Sequence, residues 1–239
     1  MWMVVGAISP LVMTLVWFAV LKDRAEVGGY GQSDFVLYYL LITVGWYIVG
    51  GEFARPLGTD IHTGKINKSL LQPYDLVIGK AVWEQAWKVL SLMLSLPAIA
   101  LVLFVSRGFL EFSMPLDKVP YLVVSLIGGA LIFALLQAIV GTMAFWVTEV
   151  WPFAEMNYML LQLLGGMLAP IALLPPLFQR ISLFLPFRYT FYEPIALVLG
   201  KTTEPLPVIG RQFVFVIILY MIYKILWRTG IKKYEAIGG

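Results

Sequence analysis

Few side chains in this sequence are of a kind that does chemistry, and their spacing narrows what that chemistry could be. Glu84 and Lys88 stand four residues apart with the acid first, the favourable order for an ion pair along one helix face. The same pair inside a bilayer would serve as a proton relay. Trp83 and Trp87 flank it at the start of a long apolar run, which favours an interfacial ion pair instead. Glu52 and Glu155 stand in similar places, at the ends of apolar runs. His62 lies alone in a polar loop, without a second ligand or base at helical spacing. The chain has no cysteine, so thiolate catalysis, disulfides and cysteine metal sites are excluded. A membrane-embedded enzyme needs a nucleophile, base or metal ligands in a cluster, and none is legible. The Gly-rich Lys-Ser/Thr loop that cradles nucleotide phosphates is missing too. The expectation is a chain that is not an enzyme by itself and binds no cofactor or metal.

The elements that carry these residues are membrane helices. The 239-residue chain is 60% hydrophobic and only 13% charged, about half the charge with which a soluble domain covers its surface. Most of its exterior must therefore face hydrocarbon. Continuous apolar runs rather than alternating ones exclude a barrel and predict an all-α integral membrane protein. A crossing needs about 20 apolar residues, and six stretches qualify: 2–21, 35–54, 82–106, 119–148, 155–175 and 206–227. The last is the weakest, with Arg211 and Lys224 near its ends, where long side chains reach the headgroups. Six crossings place both termini on one side. With cytoplasmic termini, nine basic residues fall inside and eight outside, so charge bias alone leaves the orientation open. Nothing suggests nucleic-acid binding.

Within the runs, Ala130, Ala134 and Ala138 repeat every four residues and Gly141 continues the stripe. Small residues on one face let another helix approach closely, either in the same chain or across a subunit interface. The fifth run ends in prolines Pro170, Pro175 and Pro176. Beyond them Leu177, Phe178, Ile181, Phe184 and Leu185 fall on one face, with Gln179, Arg180 and Ser182 on the other. Pro186 closes that piece and Pro194 divides the next. Residues 175–200 are read as two short helices that dip into, or lie on, the outer leaflet.

The loop 55–80 contains the stretch TGKINKSLLQPYD at 63–75. Thr59 or Asp60 is placed to cap a helix, and Gly64 to turn the chain. Ile66, Leu70 and Leu71 supply an apolar face, Lys65, Asn67 and Lys68 a polar one, and Pro73 a stop. A short amphipathic helix is expected, either lying on the membrane or docking a soluble partner.

The pattern DIHTGKINKSLLQPYD after a second span resembles the loop of type-2 ABC exporter permeases, in their bacterial six-span branch. The likeness extends over nearly the whole chain, through Phe145–Trp146, the prolines after the fifth run, and Leu185-Pro186-Phe187 with Pro194. The resemblance implies a permease subunit in the cytoplasmic membrane with both termini cytoplasmic. It implies two copies of a partner ATPase, which carry the ATP and Mg, and a second permease subunit, identical or homologous. Asp60, Thr63, Gly64, Lys65, Ile66, Asn67, Leu70, Leu71 and Pro73 would then form the ATPase-coupling helix, residues 59–72. Pro175, Pro176, Phe178, Phe184, Pro186, Phe187 and Pro194 would belong to a re-entrant hairpin acting as an outer gate. The family places an amphipathic elbow helix before the first span, whereas the apolar run here opens at Trp2; the resemblance leaves that element unassigned. The cargo implied is amphipathic or hydrophobic. Three alternatives stand beside this reading: an ion-coupled secondary transporter using Glu52, Glu84 and Glu155, a membrane enzyme, and a non-transporting scaffold.

Overall fold

A computed structural model describes residues 12–106, 119–202 and 204–234 except 14, 23 and 74. Most of the first run, 2–21, lies outside the described residues; 12, 13 and 15–20 are helical. There follow α1 (Gln32–Val49), α2 (Ala54–His62), α3 (Ile66–Leu70), α4 (Leu76–Ser106), α5 (Val119–Thr142), α6 (Trp151–Leu164), α7 (Pro176–Leu183), α8 (Tyr192–Val198) and α9 (Pro205–Lys233). Single 3-10 turns occupy Met143–Phe145, Ile171–Leu173 and Pro186–Tyr189. Among the described residues the fold is all-helical, apart from one isolated bridge between Val27 and Tyr30.

Among the described residues, three helical stretches are long and apolar enough to cross a membrane: Gln32–His62, interrupted at 50–53, Val119–Phe145 and Pro205–Lys233. They fall on the expected second, fourth and sixth runs. α4 is 31 residues long and carries Pro97 in its interior. α5 is the hub and touches α1, α2, α4, α6, α8 and α9. Its small residues account for that position. A Cβ on Gly129 would stand 2.5 Å from the Thr190 carbonyl oxygen, and one on Gly141 would stand 2.7 Å from Leu57 Cδ2 and 3.0 Å from the Ala54 carbonyl oxygen. Ala138 is fully buried, whereas Ala130 and Ala134 are half-buried. At its Ala138–Gly141 end, the alanine stripe meets α2 of the same chain.

Two helices end differently from the sequence expectation. The run 155–175 does not form one helix. α6 stops at Leu164 after 14 residues, about 21 Å of rise against the roughly 30 Å of a bilayer core. Gly165 N–H returns to Leu161 O at 2.8 Å, and Gly166 has φ +82°, a left-handed conformation open to glycine. Tyr38 O–H donates to Gly166 O at 2.6 Å and fixes the break to α1. The glycine pair, not the later prolines, terminates α6.

The second departure is at the end of α1. The helix stops at Val49, and Gly50–Phe53 are non-helical before α2 begins. Helix ends leave backbone groups without partners. Here Gln85 Nε2 donates to Ile48 O at 3.1 Å, and Ala54 N–H donates to Gln137 Oε1 at 3.0 Å. Side chains of α4 and α5 thus complete the break.

Candidate functional site

α2 and α3 pack at the end of the bundle where α9 finishes. His62 Nε2–H lies between the carbonyls of Ala144 and Val147, at 2.9 and 3.0 Å. That contact makes it a structural anchor. Thr59 and Asp60 are not helix caps, because they lie in the last turn of α2, which begins at Ala54. Asp60 pairs with Lys80 at 2.5 Å, and Thr63 Oγ1 donates to Thr59 O at 2.8 Å. Gly64 makes the turn with φ +74°.

α3 has five residues, and the expected apolar face divides across it. Ile66 is 0% exposed, whereas Leu70 is 42% and Leu71 88% exposed. Lys65, Asn67, Lys68 and Pro73 are exposed beside the two leucines. Ile66 therefore anchors the knob, and Leu70, Leu71 and the polar residues form its outer surface. Behind it, Asp75 holds Lys224 at 2.8 Å and accepts from Tyr223 O–H at 3.3 Å. Burial acts to raise the Asp75 carboxyl, but the bonds from Lys224 and from the Val77 and Ile78 N–H groups outweigh it. Asp75 is held below the ordinary carboxylate value.

At the opposite end, α7 and α8 behave in opposite ways. Leu177 and Phe184 are 64% and 81% exposed, and Phe178 and Ile181 are partly exposed. Pro175 and Pro176 are exposed, Pro186 is half-buried, and Phe187 and Pro194 are buried. Ser182, on the face expected to be polar and outward, is fully buried. The apolar face of α7 points away from the chain. Every residue of α8 is buried. Beneath them Arg188 Nε donates to Glu193 Oε1 at 2.6 Å and Nη1 to Ser182 Oγ at 3.2 Å.

Between α1, α4, α5 and α6 lies a cavity of about 790 Å³. Glu52, Arg55, Glu84, Lys88 and Glu155 line it, with Trp46, Tyr47 and Tyr158 on its wall. Arg55 pairs with Glu155. Lys88 does not close an ion pair with Glu84; its Nζ sits 4.3 Å above the Trp46 ring. The three acids that looked like separate interfacial charges thus share one chamber. Their grouping was not legible, because the acids come from three distant stretches; each one's place at the edge of an apolar run was the only signal.

The described residues hold no group of three or more metal-ligating side chains. No curated protein and no solved structure matches the chain. A family profile described as ABC-2 family transporter protein matches residues 7–238. With a helical bundle that has membrane-crossing segments and a chamber between them, that match over nearly the whole length makes the chain a membrane permease belonging to the ABC-2 transporter family.

Proposed function

We propose that this chain is the transmembrane half of an ATP-driven exporter in the cytoplasmic membrane. It crosses six times, the fifth crossing made by α6 together with residues 165–175 beyond its glycine stop, with both termini in the cytoplasm. Two such subunits, identical or homologous, stand over two copies of an ATPase that binds ATP and Mg. The α2–α3 knob rests on the ATPase through Leu70, Leu71 and the exposed polar residues around them. ATP-driven closure draws the two knobs together and tilts the first two spans and α6. A lateral or central cavity between the two subunits then opens outward, past a re-entrant hairpin formed by 175–200. The cargo is amphipathic or hydrophobic: a drug, lipid or peptide-like molecule.

The observation that carries this reading is the outward display of Leu71 beside Lys65 and Lys68, at the bundle end where Asp75 clamps α9. An apolar side chain exposed within a polar, anchored knob has the form of a docking point. Affinity purification in mild detergent tests it. An ATP-binding protein recovered in about equal stoichiometry is expected, and cargo transport by the chain alone in liposomes would overturn the reading.

One observation favours a second reading. Glu52, Glu84 and Glu155 share the chamber, as an ion-coupled transporter would require. Collapsing the proton gradient while ATP is kept high separates the two: export should persist under the first reading and stop under the second.

A further inference from the structure

The charges around the chamber do not cancel. Arg55 and Glu155 neutralise each other. That leaves two carboxylates, Glu52 and Glu84, and one ammonium, Lys88. Neither carboxylate has a cation within ion-pair distance among the described residues. Glu52 is exposed and Glu84 half-buried, so both carboxylates are open to a counter-ion. The Lys88 ammonium stands at the aromatic side of the chamber. It lies 4.3 Å over the Trp46 ring, cation–π geometry. It also rests against the α1 break, since a Cβ on Gly50 would stand 3.0 Å from Nζ. Tyr47 and Tyr158 extend the aromatic wall. The chamber's size, about 790 Å³, falls within the roughly 300–1,000 Å³ of small-molecule sites.

We propose that this chamber is a binding site for an organic cation with an apolar body, and that Lys88 is a tethered cation holding the site until such a ligand displaces it. Glu52 is the counter-charge and Trp46 the stacking surface. The proposal rests on the reading of the chain as a permease and narrows its cargo. An anion of the same shape would meet excess negative charge and be rejected.

Equilibrium dialysis of the full chain in nanodiscs, with uptake by empty nanodiscs of the same lipid subtracted, against two ions of one shape and opposite charge, tetraphenylphosphonium and tetraphenylborate, tests this directly. The phosphonium should bind at least about tenfold more tightly. Glu52→Gln should weaken phosphonium binding by about fivefold or more, and Lys88→Met should strengthen it by a similar factor, since the resident competitor is gone. Equal binding of the two ions, preference for the borate, or weaker phosphonium binding by Lys88→Met would each overturn the proposal. The wild-type comparison needs no variant to fold. Because binding is read without an ATPase, its failure leaves the export reading to stand or fall on co-purification.

Discussion

Each end of the bundle carries a pair of short helices, and the two pairs are built with reversed polarity. In α2–α3 the apolar Ile66 is inside, while Lys65, Asn67 and Lys68 are outside. In α7–α8 the apolar Leu177 and Phe184 are outside, while Arg188 and Glu193 form a pair within. Either arrangement would be unfavourable in the other's surroundings. Exposing Leu or Phe to water forfeits about 1.5–3 kcal/mol each, and burying an ion pair requires full hydrogen bonding to offset its desolvation. The first pair has the surface of an element that meets water or protein, and the second that of one that meets hydrocarbon. Leu70 and Leu71, 42% and 88% exposed, are the exceptions at the first pair.

The comparison can be broken most severely at its junction with α5. Gly129→Leu would drive a side chain into the Thr190 carbonyl region, where even a Cβ would lie at 2.5 Å. Separation of the α7–α8 pair from α5 is expected, seen as loss of monodisperse protein on size exclusion. Next in size is Glu193→Gln, which strips the charge from a buried partner of Arg188. A loss of about 3 kcal/mol is expected, measured as a lower thermal midpoint in detergent, with the double variant Arg188→Met/Glu193→Leu recovering much of it. At the α2–α3 pair, Ile66→Asp should destabilise the knob by a few kcal/mol, about the cost of an unpaired buried charge in mutational series. Leu71→Asp should leave stability within about 0.5 kcal/mol yet reduce recovery of the ATPase. Equal effects at these two positions would erase the division between anchor and surface.

Labelling sharpens the α7–α8 pair. A cysteine at Arg180, exposed on the polar side of α7, should react with an impermeant thiol reagent applied outside cells, while one at Ser182, fully buried, should not. Reaction of Arg180→Cys only from the cytoplasmic side would invert the proposed topology. The smallest effect concerns Asp75. Its carboxyl is lowered from its ordinary value, so its contribution is present above the unfolded value of about 3.9 and disappears as pH falls through the lower folded one. Asp75→Asn should therefore lose about 1 kcal/mol near neutrality and nothing in strong acid, in thermal midpoints compared across pH.

Much of the fold was legible because hydrocarbon is a strict solvent. Three of the expected runs are helices able to cross, and the short helices on either side of Pro186 fall near their expected places. That the glycine pair at 165–166 is a stop was not legible, since the stop depends on φ +82° at Gly166 and on Tyr38 reaching its carbonyl from α1. The face Ile66–Leu70–Leu71 failed for a related reason. Helical periodicity assumes a helix long enough to have a face, and α3 ends after five residues.

Composition and run length by themselves determined that this chain lives in a bilayer as helices, because backbone polar groups in hydrocarbon must be satisfied within each segment. They also fixed the polar knob between the second and third runs, since a loop must return to water somewhere. Which side chains meet was decided only in three dimensions. Glu52, Glu84 and Glu155 belong to separate stretches and converge on one chamber, and Ser182 turns inward because Arg188 is there to meet it. Local pattern records what each residue prefers as a solvent; the partners are chosen by how the helices cross.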